Sequence, residues 1–296
     1  MLRWRLLLGT LIIGVLVALG YLDHRLEPSL PVPGLPLLPV ALAFTLLATG
    51  EMLYLTGAGG MRPLPWAVYG GNLLLLASHW VPAVCGTDGG AAASVSPMAW
   101  PFLALGLGAL LVLVGEMHRF ERPGRVTSNV AAAVLSLVYV GGMLSFAVQL
   151  RMIWGVGALA SLIIVVKLGD TGAYSIGRLL GRHKLAPVLS PGKTIEGAIG
   201  ALAFACLGSW ATFTWLIPRM APESSKALPA WGWIVFGLLV GIAGLLGDLA
   251  ESLIKRDVGC KDSSRWLPGF GGVLDILDSI LLAAPVAWFC WMWFSM

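Results

Sequence analysis

The sequence has few charged residues. Asp, Glu, Lys and Arg make up 11% of its 296 residues, whereas about 25% is usual in soluble domains. Hydrophobic residues make up 58% of the chain, and the mean hydropathy is +0.86. This composition leaves too little polar surface for a soluble fold of this length. It therefore predicts an integral membrane protein.

Paired cysteines and long basic segments are also missing. The four cysteines, at positions 85, 206, 260 and 290, have no C-x-x-C spacing, which argues against a zinc site or a disulfide framework. The net charge of +4 is spread over short loops, so no continuous basic surface is available and we expect no nucleic-acid partner. We expect the positive charge to face anionic lipid and anionic substrate instead.

Long apolar runs dominate the sequence. A spanning helix needs about 20 mostly apolar residues, and about nine stretches meet this requirement. No linker between them is long enough to divide the chain. We therefore predict an all-α, polytopic membrane protein with about nine transmembrane helices, folded as a single domain over residues 1–296. The stretches are 5–22, 36–56, 66–84, 98–116, 128–149, 152–178, 197–217, 232–254 and 276–295.

Basic residues predict the orientation in the membrane. If the N-terminus is cytoplasmic, most of the basic residues fall in the loops on the cytoplasmic side, as the positive-inside rule requires. The first apolar run follows Arg3 and Arg5, but no small-residue cleavage site comes after it, so we expect a retained helix and not a signal peptide. The opposite loops hold only Arg25, Arg151, Arg219 and Lys226.

A polar stripe interrupts one apolar helix. Asp248, Glu251, Ser252 and Lys255 follow i, i+3, i+4, i+7 spacing, which places them on one helix face. Intramembrane carboxylates are candidates for function. The alternative is a buried salt bridge between Glu251 and Lys255 that only fixes helix packing. Glu51 is a solitary intramembrane carboxylate, and its simplest interpretation is a side chain that snorkels to the interface.

Acidic residues at the start of the last helix predict a metal site. Asp275 and Asp278 stand one turn apart, just after a glycine-rich segment. One carboxylate there could serve only as a cap or a partner of the helix dipole. Two carboxylates that face Asp170 and Asp248 at similar depth would bind a hard cation. Carboxylate, water and phosphate oxygens are the ligands that Mg²⁺ prefers, so the pattern predicts magnesium.

A third cluster of polar residues runs from Asp170 to Glu196. Its segment Ser190-Pro-Gly-Lys-Thr194 is similar to a Walker A loop, but the first glycine is missing and we expect no strand before it, which argues against a P-loop ATPase. Lys193 and the backbone N–H groups at the start of the next helix can still bind phosphate. Ser190 would equally suit a loop that turns into a helix. The candidates are Asp170, Tyr174, Arg178, Lys184, Ser190, Lys193, Thr194 and Glu196.

These segments resemble the phosphatidate cytidylyltransferase family, also called CDP-diacylglycerol synthases. The resemblance covers about residues 165–285, and the family's pattern near the C-terminus is S-x-x-K-R-x4-K-D, followed by H-G-G and D-R-x-D. Two positions depart from it: Phe270 stands where the family usually has His, and Ile276 where it usually has Arg. The matching residues are Ser252, Lys255, Arg256, Lys261, Asp262, Gly271, Gly272, Asp275 and Asp278.

The resemblance implies a nucleotidyltransferase of phospholipid biosynthesis, which makes CDP-diacylglycerol and pyrophosphate from CTP and phosphatidic acid. It implies a homodimer in the inner membrane of the cell, with the active site facing the cytoplasm. It also implies Mg²⁺, either as two divalent ions or as one divalent and one monovalent cation, with Asp248, Asp275 and Asp278 as ligands. The implied catalytic set is Lys255, Arg256, Lys261 and Asp262. Ser252, Gly271 and Gly272 join the candidates between 170 and 196 in substrate binding.

Two other functions stay open at this point. A CTP-dependent lipid kinase of the polyprenol or phytol type would use the same nucleotide, but it would release CDP in place of pyrophosphate. A cation-coupled transporter could use Asp170, Asp248 and Asp278 as an ion path. Against the transporter, the sequence contains no apparent inverted repeat and no pair of interrupted helices near the midplane.

Overall fold

Most of the residues that the structure describes lie in helices. The computed structural model describes residues 2–30, 32–85, 96–121, 123–220, 231–264 and 271–295. Apolar runs form helices because a backbone in lipid must satisfy its hydrogen bonds internally. The elements are α1 Leu2–Leu26, α2 Leu38–Ala58, α3 Pro65–Ser78, α4 Val81–Cys85, α5 Ala99–Arg119, α6 Val126–Ser136, α7 Met143–Trp154, α8 Val156–Leu180, β1 Lys184–Ala186, β2 Ser190–Thr194, α9 Ile195–Ala211, α10 Ile217–Met220, α11 Gly232–Asp257 and α12 Leu274–Ser295.

Seven helical stretches within the described ranges are long and apolar enough to cross a membrane. Two of them contain short π-helical segments, which continue α6 into α7 and α9 into α10. The chain is therefore a multi-pass, all-α membrane protein, as the sequence predicts, but the count of about nine spanning helices is not confirmed. The seven stretches are Leu35–Ala58, Ala99–Arg119, Val126–Trp154, Val156–Leu180, Ile195–Met220, Gly232–Asp257 and Leu274–Trp293.

The third predicted run, 66–84, forms two short helices. α3 has 14 residues, so at 1.5 Å per residue it is about 21 Å long, less than the hydrocarbon core of about 30 Å. The chain turns at His79 and Trp80, where Trp80 Nε1 donates to Pro33 O at 3.1 Å. A hydropathy average could not reveal this turn, because long apolar stretches stand on both sides of Ser78 and His79. The first predicted run, 5–22, lies within α1, which is not among the seven stretches of the described residues.

The helices form two compact units. Unit 1 comprises Met1–Met152 and Asp257–Asp275. Unit 2 comprises Ile153–Arg256 and Ile276–Met296. Unit 1 thus contains α1 to α6 and most of α7, together with the loop that precedes α12. Unit 2 contains α8 to α10, the strands, and most of α11 and α12.

In unit 1, small residues bring α3 and α5 close together. A Cβ on Gly71 would lie 3.2 Å from Gly108 Cα. Small residues at helix crossings allow the close packing that holds helices together in a bilayer. The buried apolar side chains around this crossing are Ala67, Val68, Val112, Ala133 and Leu137.

A buried ion pair joins α1 to α7 in unit 1. Arg151 Nε donates to the Asp23 carboxylate, and Arg151 Nη1 donates to Glu27 Oε1 at 3.0 Å. The Asp23 side chain is fully buried, and that of Arg151 is 4% exposed. Because an uncompensated buried charge is very costly, the two side chains depend on each other.

In unit 2, glycines allow α8 and α9 to approach closely. A Cβ on Gly172 would lie 2.5 Å from Gly200 O, so a larger residue would push the helices apart. Between these helices β1 and β2 form an antiparallel hairpin in which Lys184 pairs with Thr194. The hairpin is a small addition to the predicted all-α fold. It places residues 190–194 in a strand, where the sequence suggests a loop.

Candidate active site

Unit 2 gathers acidic residues from three helices. Asp170 lies on α8, Asp248 on α11 and Asp278 on α12. Asp278 is 8% exposed, and it lies close enough to Asp170 and Asp248 for their charges to act on its carboxylate. Ser279 contacts two members, since its Oγ donates to Asp170 Oδ1 at 3.4 Å and its N–H to Asp278 Oδ1 at 2.5 Å. We name these three aspartates the acidic cluster.

The close packing of α11 against α12 positions the acidic cluster. A Cβ on Gly247 would lie 2.5 Å from Asp278 O and 3.0 Å from Ser279 Cα. Only glycine therefore allows the two helices to approach this far. Asp248 follows Gly247 directly, so the same crossing brings its side chain to the level of Asp278.

Two lysines lie against the acidic cluster. Lys193 Nζ is 2.8 Å from Asp248 Oδ2. Lys167 Nζ is 3.0 Å from Asp170 Oδ2 and 3.0 Å from Ile276 O. The sequence predicts Lys193 but not Lys167, which lies inside an apolar run, away from the basic loops. A lone cation within a predicted spanning helix is the signal that could have identified it.

The acidic cluster suits a hard cation whose coordination is completed by substrate. No group of three or more His, Cys, Asp and Glu side chains in the described ranges is arranged to hold a metal ion. Mg²⁺ commonly takes one or two carboxylates and fills its other positions with water and phosphate oxygens. The cluster offers only hard oxygen donors, so it fits Mg²⁺ that arrives with a polyphosphate.

The β-hairpin carries a second polar group in unit 2. Glu196 accepts a hydrogen bond from the backbone N–H of Arg182 at 3.0 Å, and its Oε1 is 2.6 Å from His183 Nδ1. Thr194 caps α9, because its Oγ1 accepts from Gly197 N at 3.1 Å. These bonds connect the segment just before β1 to the first turn of α9.

The other predicted residues of this region contact their own neighbours. Lys184 Nζ donates to a backbone carbonyl within the hairpin at 2.7 Å, and Arg178 Nη1 donates to Tyr174 OH at 2.7 Å. Ser190 begins β2. Lys193 lies near the other end of β2, and through Asp248 it connects the hairpin to the acidic cluster.

The polar stripe on α11 divides into two parts. Lys255 Nζ is 2.8 Å from Glu251 Oε2, and Glu251 is fully buried. This is the buried Glu251–Lys255 salt bridge that the sequence suggests as the alternative to a functional role. Ser252 is buried beside it, whereas Arg256 is exposed and its Nε donates to the backbone carbonyl just before β2 at 3.3 Å. Asp248 belongs to the acidic cluster instead.

Unit 1 contains a buried carboxylate at the end of a network of hydrogen bonds. Glu51, on α2, is 5% exposed. Its Oε1 accepts from Ser264 Oγ at 2.9 Å and from Val273 N at 2.9 Å. Its Oε2 accepts from Ser263 Oγ at 2.8 Å and from Leu274 N at 2.7 Å. The snorkelling interpretation is wrong, because Glu51 holds the loop and the first turn of α12.

Asp275 closes the same loop from the other side. Its Oδ2 accepts from Ser263 N at 3.0 Å, from Ser263 Oγ at 2.7 Å and from Gly272 N at 2.7 Å. These are bonds of the capping kind that the sequence leaves open as the alternative to metal binding. Gly271 has a φ of +82°, which favours glycine. The preceding loop carries two further predicted residues, Lys261 and Asp262, both exposed.

The predicted metal ligands are divided between the units. Asp248 and Asp278 lie in unit 2, whereas Asp275 lies in unit 1. Of the two departures from the family pattern, Phe270 lies outside the described residues. Ile276 is described, and its backbone carbonyl is the one that Lys167 contacts.

Known proteins are similar to this chain over most of its length. A family model described as "Cytidylyltransferase family" matches residues 5–294. A phosphatidate cytidylyltransferase of Mycobacterium bovis is 33% identical over 230 residues, which is 72% of this chain and 72% of the relative. One of Staphylococcus aureus (strain COL) is 40% identical over 160 residues, which is 53% of this chain and 57% of the relative. The similarity thus extends beyond the motif-bearing segment 165–285.

Proposed function

The chain belongs to the cytidylyltransferase family, and we propose that it transfers the cytidylyl group of CTP to phosphatidic acid. The products are CDP-diacylglycerol and pyrophosphate, so the enzyme is a nucleotidyltransferase of phospholipid biosynthesis. The observation that carries this proposal is the acidic cluster of unit 2 with Lys193 and Lys167 against it. Paired carboxylates and ammonium groups are what a reaction between two phosphate compounds requires.

Both substrates are anionic, so their mutual repulsion opposes the approach of the reacting groups. A phosphate oxygen of phosphatidic acid forms a bond to the α-phosphorus of CTP, and the bond from that phosphorus to the pyrophosphate oxygen breaks. A phosphomonoester has its second pKa near 6, so the attacking oxygen is already largely deprotonated at neutral pH. The enzyme therefore needs no strong general base.

The residues of unit 2 can neutralise the negative charge of the substrates and bind the metal ion. Lys193 exchanges part of its contact with Asp248 for a phosphate oxygen and so neutralises charge on the nucleotide. The N-terminus of α9, which Thr194 caps, begins two residues after Lys193, so its helix dipole adds positive potential near that lysine. One or two of Asp170, Asp248 and Asp278 would hold Mg²⁺ together with phosphate oxygens of the substrate. The bound ion would polarise those oxygens and offset their negative charge.

The placement in the membrane is part of the proposal. The chain lies in the inner membrane of the cell, with its N-terminus and the acidic cluster at the cytoplasmic side, because the distribution of basic residues favours that orientation. CTP then arrives from water and phosphatidate from the leaflet. We count α1 and the α3–α4 pair with the seven spanning stretches in one membrane domain of about nine helical segments, which forms a homodimer as the family resemblance implies.

The reaction can be tested with purified protein, labelled CTP, phosphatidic acid and Mg²⁺. We expect labelled CDP-diacylglycerol and an equal amount of pyrophosphate. Asp248→Asn and Asp278→Asn should lose this activity while still eluting as native protein from a sizing column, and the exposed Glu121→Gln should retain it. Release of CDP with a polyprenol acceptor would indicate a lipid kinase. No labelled lipid from the wild-type protein would refute the proposal.

A further inference from the structure

One lysine lies well inside a membrane-spanning helix. Lys167 is about 16 Å along α8 from Val156 and about 20 Å from Leu180, at 1.5 Å per residue. A charged side chain near the middle of a spanning helix is costly, and such residues face protein or water and mark functional sites. The residues predicted to bind phosphate do not include Lys167, so its position within α8 requires a separate explanation.

The ammonium group of Lys167 is held but not enclosed. It donates to Asp170 Oδ2 and to Ile276 O, each at 3.0 Å. An ammonium group carries three hydrogens, so within the described part of the chain these two contacts leave one hydrogen for a ligand. The side chains of Lys167 and Asp170 are 40% and 41% exposed, which leaves room for a ligand to approach.

The second contact connects Lys167 to a departure from the family pattern. Ile276 stands where that pattern has arginine, and an isoleucine side chain carries no charge. Lys167 reaches the backbone carbonyl of this same residue from α8. A positive charge is therefore present at this level of α12 even though residue 276 does not provide it.

We propose that Lys167 binds a phosphate group of the anionic substrates and supplies the positive charge that residue 276 lacks in this chain. The acidic cluster alone would repel a polyphosphate, and Lys193 is paired with Asp248 on the hairpin side. Lys167 is paired with Asp170, so the two lysines approach the cluster through different aspartates. This inference rests on the proposed function, since it assigns Lys167 a role in the same site.

The test begins with Lys167→Gln, which keeps a hydrogen-bond donor but removes the charge. We expect KM to rise about ten- to a hundredfold for one substrate, because a hydrogen bond to a charged group is lost. A rise for CTP at saturating phosphatidate identifies the triphosphate as the ligand, and a rise for phosphatidate at saturating CTP identifies the lipid phosphate. Lys167→Arg, which keeps the charge, should retain most of the affinity. Binding of labelled CTP without phosphatidate gives a readout that does not depend on turnover.

The double variant Lys167→Gln/Ile276→Arg tests the replacement of charge directly. Arginine at 276 should recover at least half of the lost affinity on a logarithmic scale, whereas a purely structural defect at residue 167 would not be repaired. If the single variant does not fold, the double variant is compared with wild type, and affinity within about tenfold supports the proposal. A larger loss in the folded double variant contradicts it.

A matched control is Arg219→Gln. Arg219 is also a cation of unit 2, and its Nη1 donates to Trp215 O at 2.7 Å, so its loss removes charge without touching the acidic cluster. Unchanged KM values and unchanged CTP binding in folded Lys167→Gln would overturn the inference. Because wild-type protein must form CDP-diacylglycerol in the same assay, failure of the inference is distinguishable from failure of the proposed function.

Discussion

Replacing Glu51 by alanine tests whether one buried carboxylate holds the loop before α12. The carboxylate accepts two hydroxyl and two backbone hydrogen bonds. The serine hydroxyls can rotate to other acceptors, but the N–H groups of Val273 and Leu274 are donors at the start of α12 that cannot turn away. Leaving a buried donor without a partner costs about 1–3 kcal/mol. We therefore expect Glu51→Ala to lower the free energy of unfolding by about 2–6 kcal/mol.

Glu51→Gln should destabilise the protein less than Glu51→Ala does. The amide keeps one acceptor oxygen, so only one of the two backbone N–H groups loses its partner. We therefore expect the free energy of unfolding to fall by about 1–3 kcal/mol. The order of stability should be wild type, then glutamine, then alanine. Glu121→Ala, an exposed change near the end of α5, should behave like wild type.

Two measurements check this order. The fraction of protein that remains monodisperse after heating in detergent gives the apparent melting temperature of each variant. Brief trypsin treatment reports on the loop itself, because Lys261 is exposed there and its cleavage should accelerate when the loop is released. If Glu51→Ala melts at the wild-type temperature and is cut at Lys261 at the wild-type rate, the reasoning about this carboxylate is refuted.

Two further substitutions, each with its own comparison variant, test other parts of the fold. Arg151→Met should lower the free energy of unfolding by about 3–5 kcal/mol, because it leaves the Asp23 charge buried and unpaired. The double variant Arg151→Met/Asp23→Asn should melt at a higher temperature than Arg151→Met, and an equal or lower melting temperature would contradict this. A methyl group at Gly247 would push α11 from the α12 backbone, at a cost of about 1–3 kcal/mol. Because this crossing positions Asp248 beside Asp278, we expect Gly247→Ala to reduce turnover at least tenfold. Gly57→Ala should be tolerated, since a Cβ at Gly57 meets nothing within 4 Å.

The sequence predicts those features that depend on local periodicity. Apolar runs indicate the spanning helices, and the spacing of Asp248, Glu251 and Lys255 places them on one face of α11. The bounds of α8 and α11 agree with the predicted runs to within a few residues. Composition and helical period act over one or two turns, so a single sequence contains enough information for these features.

Features that depend on tertiary contacts could not be predicted in this way. The partners of Glu51 lie 212 to 223 residues away, and no period links such distant positions. The charge of Lys167 stands out within its apolar run, but its contact with Ile276 could not be predicted, because it is made to a backbone carbonyl and leaves no mark on side-chain patterns. The pairing of β1 with β2 and the turn after α3 depend likewise on contacts that hydropathy does not encode.

The glycine at 272 has a consequence for exchanging segments between proteins. A side chain at this position would occupy the space of Glu51 Oε2 and Ser263 Oγ, and hydrogen bonds hold both atoms in place. The absence of a side chain at Gly272 is therefore required by Glu51 of α2 as well as by Ser263 of its own loop. A chimeric enzyme that receives the C-terminal motif of this chain must also receive α2, because the loop is shaped around a side chain that the motif does not contain.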